Sequence, residues 1–270
     1  MMTTDATDPE GKRAEQNMSG RLDGTVALVT GASSGIGEAT ALSLAAEGAS
    51  VAVVARRKDR LDDLVARIRD AGGSAHAFGA DITRAGEGEA VVTRAVQELG
   101  RLDTVVNNAG VMLLGPALDT PVTEWQRMVD LNLSALLRVT HTALPHLVSA
   151  AADGPRGVAD LVNISSVAGR VATAGAAVYN LTKFGVAAVS EALRQELAGK
   201  HVRVSAVEPG AVVTELTHHL GDGVRDTIEA WYGGMESLRP EDIADAIEYI
   251  VTRPRRVAVN EMLIRPTEQV

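Results

Sequence analysis

Val26-Ala27-Leu28-Val29-Thr30-Gly31-Ala32-Ser33-Ser34-Gly35-Ile36-Gly37 is an apolar run that ends in a glycine-rich turn. With the helix-forming stretch from Ile36 to Glu47 behind it, the segment reads as strand, tight loop and helix. Glycines in that position allow a sharp turn, the close approach of a pyrophosphate, and contact of helix with strand. The helix N-terminus offers unpaired N–H groups and a partial positive charge to an anion. Gly31, Ser33, Ser34, Gly35, Ile36 and Gly37 are therefore candidate nucleotide-binding residues. The spacing is G-x-x-x-G-x-G and not G-x-G-x-x-G, so an unliganded Gly/Ser turn is the competing reading.

Working outward, apolar runs alternate with amphipathic segments. Further strands are expected at Val51–Val54, Ala75–Gly79, Thr104–Asn107, Leu161–Ile164, Val202–Val207 and Val257–Ile264. Helices are expected at Lys58–Asp70, Glu87–Leu99, from Val122 towards Leu147 with a kink at Pro145, through the segment after Tyr179, and from Arg239-Pro240 onward. That alternation predicts right-handed βαβ units and a parallel sheet covered on both faces. The fold class is α/β, one doubly wound Rossmann domain over residues 21–270. Residues 1–20 read as a disordered tail, and the irregular stretch 215–238 as an insertion over a substrate cleft.

The chain has 270 residues, 46% hydrophobic and 23% charged, the profile of a soluble globular protein. Its formal net charge of −9 disfavours nucleic acid or an anionic membrane as the main partner. With no cysteine, zinc-thiolate sites, disulfides and a cysteine nucleophile are excluded, and a cytoplasmic location fits. Met1 to Gly20 is polar, unlike a signal peptide, and no apolar run has the length of a membrane span. His218-His219 reads as solvated, so no metal site is expected. No Gly-x-Ser-x-Gly elbow points to a hydrolase.

The second strand ends Val54-Ala55-Arg56-Arg57. In a Rossmann fold an acidic residue there accepts a hydrogen bond from the adenosine ribose 2′-hydroxyl. Here Ala55 stands in its place, and guanidiniums follow, which bind a 2′-phosphate by charge-assisted hydrogen bonds. The expectation is NADP over NAD, with Arg56 as the main contact, Arg57 second and Ser34 assisting. A solvated basic turn is the alternative, since Lys58 and Arg60 follow.

Tyr179-Asn180-Leu181-Thr182-Lys183 sets a phenol and an amine one helical turn apart. A free phenol titrates near pH 10, and making it useful near pH 7 requires about 4 kcal/mol of differential stabilisation. An adjacent ammonium supplies stabilisation of that sign. Two solvated polar residues on an amphipathic helix are the competing reading.

Thr30-Gly31-x-x-x-Gly35-Ile36-Gly37, Asn107-Asn108-Ala109-Gly110, Ser165-Ser166 and Tyr179-x-x-x-Lys183, in that order, resemble the short-chain dehydrogenase/reductase family. The resemblance covers Gly24 to Ile264. Ala109-Gly110-Val111-Met112-Leu113-Leu114-Gly115-Pro116, Ala168-Gly169-Arg170-Val171 and Asn260-Glu261-Met262-Leu263-Ile264-Arg265-Pro266-Thr267 are similar to a single-domain NADP-dependent branch that includes clavulanic acid dehydrogenase and bacterial 3-hydroxy-acid and serine dehydrogenases. The family resemblance implies a seven-stranded parallel sheet and a nicotinamide-dependent oxidoreductase reducing a carbonyl to an alcohol, or the reverse. In its terms Tyr179 is the proton donor, and Lys183 acidifies it and holds the nicotinamide ribose. Ser166, at the family's spacing from the tyrosine, donates to the substrate oxygen, and Asn132 holds a relay water. Asp81 and Ile82 face adenine, and Asn108, Ala109 and Gly110 the adenosine side. Pro209, Gly210, Val212 and Thr214 hold the carboxamide. It also implies a homo-oligomer, a tetramer or dimer, packed through the long helix and the Tyr179 helix.

The substrate cleft is expected to be lined by Met112-Leu113-Leu114, Arg170-Val171 and the 215–238 segment, suiting a modest aldehyde, ketone or oxo-acid. Other readings are an acyl-carrier-linked 3-oxoacyl reductase, a non-catalytic NADP-sensing regulator, and an extended-branch epimerase or dehydratase. The last needs a longer C-terminal domain than the chain has room for.

Overall fold

The computed structural model describes residues 20–216 and 234–269. Residues 1–19 of the tail expected over 1–20, most of the 215–238 insertion, and His218 and His219 lie outside them. Seven strands form one sheet: β1 (Val26–Thr30), β2 (Ser50–Ala55), β3 (Ser74–Gly79), β4 (Thr104–Asn107), β5 (Ala159–Ile164), β6 (Val202–Pro209) and β7 (Glu261–Ile264). Their order is β3-β2-β1-β4-β5-β6-β7, and every neighbouring pair is parallel.

The helices are α1 (Gly35–Ala46), α2 (Lys58–Asp70), α3 (Glu87–Leu99), α4 (Val122–Val129), α5 (Leu136–Asp153), α6 (Ala177–Leu197) and α7 (Pro240–Thr252). Side chains alternate across the sheet with the period of the strand. Ala27 and Val29 of β1 and Val51 and Val53 of β2 pack with Leu44, Leu61, Ile243 and Ile247 under α1, α2 and α7. Val26, Leu28, Ala52 and Val54 face the opposite way, against Val91, Val139, Leu147 and Leu197 of α3, α5 and α6. Burial on both faces is why these strands read as continuous apolar runs. Among the described residues no helix is long and apolar enough to cross a membrane.

Three of the differences from the expected boundaries have a local reason. The long helix continues through Pro145 to Asp153, its irregularity lying instead in a π-helical turn at Asp130–Ala135. Buried Ala143 and Leu147 hold the chain helical around the proline. Strand β5 begins at Ala159, because the Asp160 carboxylate is paired with Arg203 at 2.7 Å and Arg156 at 3.0 Å and so is tolerated in the sheet. Strand β7 begins at Glu261 and not Val257. The carbonyls of Val257 and Val259 accept hydrogen bonds from the Arg203 and Ser205 side chains, at 2.7 and 2.6 Å, outside the ladder.

A buried polar chain crosses the middle of the sheet. Asn107 Nδ2 donates to Thr140 Oγ1 and to Asn163 Oδ1, both at 2.9 Å, and Asn163 Nδ2 donates to Ser190 Oγ at 2.9 Å. Asn107 and Asn163 are direct partners in the β4–β5 register.

Candidate active site

Strand β1 pairs with β2 on one side and β4 on the other, so the crossovers diverge there. Ligands collect at the carboxyl ends of the strands around such a point. The loops after β1 and β4 are tied together across it. Thr30 Oγ1 accepts the amides of Asn108 and Ala109 at 3.0 and 3.1 Å, and Asn108 Nδ2 donates to the Thr30 carbonyl at 3.0 Å.

Glycine is required by the closeness of that approach. A Cβ at Gly31, where φ is +67°, would sit 2.8 Å from Ala109 Cα, and one at Gly37 would sit 2.5 Å from both Asn108 Nδ2 and the Gly31 carbonyl oxygen. Ser34 stands at the N-cap of α1 but makes no side-chain capping bond. The first amides of α1 are thus left uncapped by side chains beside the turn, which is an anion-receptive geometry.

One cavity of about 1840 Å³ runs along this edge. It gathers every candidate cofactor and catalytic residue named from sequence except Gly37 and Asn132. Gly37 spaces helix from strand beneath the loop. Asn132 is buried in the π-helical turn, its Nδ2 donating to the Val111 carbonyl at 2.9 Å and Thr182 Oγ1 at 3.1 Å while Oδ1 accepts the Val111 amide at 2.8 Å. Its side chain is therefore occupied in fixing the loop after β4 against α6.

The cavity wall opposite the glycine turn is α6. Lys183 Nζ donates to the Ile164 carbonyl at 2.8 Å, and Ser165 Oγ donates to the Lys183 carbonyl at 3.1 Å. These reciprocal bonds pin α6 to the end of β5, setting Ser166 and Tyr179 on one wall. The Ser166 hydroxyl accepts the Ala168 amide at 3.1 Å, capping a short 3-10 turn at Val167–Gly169. Asn180 holds the next loop: it donates to the carbonyls of Ala168 and Val171 at 2.8 and 3.0 Å and accepts the Thr173 amide at 3.0 Å. Tyr179 is buried among Val111, Leu113 and Met128, with Lys183 Nζ 5.7 Å from its ring centre.

Burial pushes the Lys183 ammonium down from 10.5 to about 8. The amine is thus still mainly protonated at neutral pH. A lysine lowered by folding destabilises the protein fully below its folded value, and the penalty fades as pH rises from about 8 towards 10.5. Lys183→Met should therefore be more stable than wild type at pH 7, by up to ~3 kcal/mol, with the difference shrinking by pH 10. Denaturant melts at the two pH values test this, and an equal difference at both would contradict it.

At the far end of the cavity the two arginines differ in what they touch. Arg57, not Arg56, is knitted into the turn, reaching Ser33 Oγ through Nε at 3.1 Å and through Nη2 at 2.9 Å, and Ser34 Oγ through Nη2 at 2.8 Å. Arg56 is exposed beside Asp81. The Asp81 carboxyl is held below its usual range, first by the Thr83 hydroxyl at 2.7 Å.

Two expected cleft residues lie elsewhere. Leu113 turns into the core beside Tyr179. Arg170 pairs with Glu208 and Glu261, each at 2.5 Å, and is drawn off the cavity by the buried Glu208 carboxylate. Met112, Leu114 and Val171 do line it. Glu215, the first residue of the expected 215–238 segment, lines it as well, and so do three residues not anticipated as part of the site, Arg60, Arg127 and Arg265. Arg60 was legible, since it lies one helical turn beyond Arg56 and Arg57.

A parallel sheet with a glycine turn, a crossover crevice and a Tyr/Lys wall on one cavity defines a dinucleotide-binding oxidoreductase of Rossmann type. The chain belongs to the short chain dehydrogenase family, whose model matches residues 25–225. A glycine betaine reductase of Emericella nidulans is 41% identical over 253 residues, 93% of this chain but only 19% of that protein's length. An uncharacterised oxidoreductase of Staphylococcus saprophyticus is 36% identical over 247 residues, 90% of this chain and 96% of that protein. Among solved structures, the closed form of a serine dehydrogenase complexed with NADP+ superposes with a TM-score of 0.80 at 31% identity, over 91% of this chain and 96% of that one. A 3-ketoacyl-(acyl-carrier-protein) reductase from Brucella melitensis complexed with NADH gives 0.79 at 31% identity, over 90% and 97%.

Proposed function

We propose that the protein is an NADP(H)-dependent reductase of a small aldehyde, ketone or oxo-acid, or a dehydrogenase of the corresponding alcohol. The observation that carries the cofactor choice is Arg57 lying across Ser33 and Ser34 with Arg60 beside it, after a strand end where Ala55 replaces the acid of an NAD site. The serine dehydrogenase with NADP+ supports the same reading. The uncapped start of α1 and the glycine turn fit a pyrophosphate, Arg57 with Arg60 a 2′-phosphate, and Asp81 with Ile82 the adenine. Pro209, Gly210, Val212 and Thr214 border the opposite, nicotinamide end. When bound, the nicotinamide supplies or accepts the hydride.

Protein groups manage the proton. Tyr179 donates it to the forming alkoxide, and Ser166 polarises the carbonyl by donating a hydrogen bond from the end of β5. An ammonium about 6 Å from the centre of a phenolate ring, as Lys183 is from Tyr179, stabilises the anion by about 3 kcal/mol at an effective dielectric of about 20. That approaches the 4 kcal/mol or so required to bring a phenol into play near neutrality. Lys183 is rigidly held by Ile164, so this field is preorganised. Asn132 acts by fixing the Val111 loop, with Lys183 and the Asn132 amide both facing Gly110: a Cβ there would meet Asn132 Oδ1 at 3.4 Å and Lys183 Nζ at 4.0 Å.

Exposed Leu137 on α5 and Leu181 and Phe184 on α6 support a homo-oligomer through those two helices, in a cytoplasmic enzyme. An NADP-sensing regulator is less well supported, because the full Tyr179/Lys183 pair is present and buried together. The reading is tested by screening aldehydes, ketones and oxo-acids with NADPH and NADH. At least one should be turned over with kcat/KM about tenfold or more higher for NADPH, the effect of one charge-assisted hydrogen bond. Equal values with both cofactors would refute the cofactor assignment.

A further inference from the structure

The cationic end of the cavity already holds an anion. Glu215 follows Thr214 directly, and its carboxylate bridges two guanidiniums: Oε2 accepts from Arg57 Nη1 at 2.7 Å and Oε1 from Arg60 Nη1 at 2.6 Å. Arg60, Arg57 and then the Ser34 hydroxyl hold its carboxyl down at about 2, so it is ionised throughout the physiological range. Two guanidiniums and a serine hydroxyl converging on a pair of anionic oxygens form the donor set that a phosphate monoester recruits.

We infer that Glu215 is an internal competitor for the 2′-phosphate: its carboxylate occupies the Arg57/Arg60 cradle, and a 2′-phosphorylated nucleotide enters by displacing it. The inference rests on the proposed reading of the ribose end. A phosphate monoester brings up to twice the negative charge to the same donors and so prevails. A 2′-hydroxyl brings no charge with which to evict the carboxylate, and can instead donate a hydrogen bond to it, as to the acid of an NAD site. Glu215 is thus a specificity-determining residue that moderates the preference set by Arg57 and Arg60. Exchange is feasible because the pairs are partly solvated, with Arg57 40% and Glu215 35% exposed. Displacement also bears on the glycine turn, because the methyl group of Thr214, next to Glu215, lies 3.2 Å from where a Cβ on Gly35 would stand.

The test is calorimetric titration of the full chain with 2′,5′-ADP and with 5′-AMP at fixed ionic strength, in wild type, Glu215→Gln and Glu215→Ala. Wild type should prefer 2′,5′-ADP, and both variants should bind it about fivefold more tightly, the scale of losing two partly exposed ion pairs as competitors. Their affinity for 5′-AMP should not improve. Unchanged or weaker 2′,5′-ADP binding in both variants, with the wild-type preference intact, would overturn the competitor role alone. No preference for 2′,5′-ADP in wild type would overturn the reading of the ribose end, and the competitor role with it.

Discussion

Tyr179→Phe should lower kcat for carbonyl reduction by about a thousandfold or more, while NADPH affinity changes by no more than a few-fold. The phenyl ring keeps its packing against Val111, Leu113 and Met128, so the fold and the cavity wall are preserved. What disappears is the one group on that wall that can be both a proton donor and a stabilised anion. The remaining hydrogen bond from Ser166 can polarise a carbonyl but has no neighbouring charge to acidify it. In the oxidation direction, the rate of the wild type should climb with pH until the phenol is ionised. Replacing Lys183 by Met should move that break to higher pH, because the ammonium that favours the phenolate is gone. Stopped-flow reduction and pH–rate profiles provide the measurement. Turnover of Tyr179→Phe within tenfold of wild type would remove the residue from its assigned role.

The second large effect belongs to Arg57→Ala. Losing a charge-assisted hydrogen bond of 1.5–3 kcal/mol corresponds to about 10- to 100-fold in affinity. The KM for NADPH should rise by about 50-fold, with the value for NADH within about twofold of wild type. Arg56→Ala should change the NADPH value by only about threefold, because an exposed guanidinium contributes weakly through solvent. The contrast between the two variants is the informative result. If Arg56→Ala proved the more damaging, the 2′-phosphate would have to be placed on the Asp81 side of the cavity. An unchanged ratio of NADPH to NADH in both would dismiss the basic turn as a selectivity element altogether.

Much of this molecule is written in local patterns. The glycine turn, the paired Tyr and Lys, and the apolar strands each report themselves through spacing and period, because backbone geometry alone imposes those patterns. What escaped is what depends on pairing across the fold. Asp160 looks like a strand breaker, so the expected strand starts after it, yet it is buried in the sheet because Arg203 neutralises it. Arg170 sits in a cleft-like sequence context, yet Glu208, 38 positions on, claims it. Arg56 and Arg57 are equivalent as letters, and only the rotation of the chain leaving β2 aims the second at Ser33 and Ser34. Glu215 falls in the stretch expected to line the cleft, but its pairing with Arg57 and Arg60 was not legible, since an acid after a threonine in an irregular loop has no period and no fixed partner. The π-helical turn was likewise invisible, since its Asn132 reaches Val111 in the distant loop after β4.

The linked amides at the centre of the sheet constrain how this sequence can drift. Exchange of Asn107 alone would strand Asn163 and Thr140 in a dry interior, and exchange of Asn163 would do the same to Asn107 and Ser190. Substitutions there are expected to be strongly non-additive, each harmful singly and tolerable only in company. Divergence along the β4–β5 seam would then proceed in whole steps of several residues at once, and grafting either strand into a distant homologue would succeed only if the entire set travelled with it.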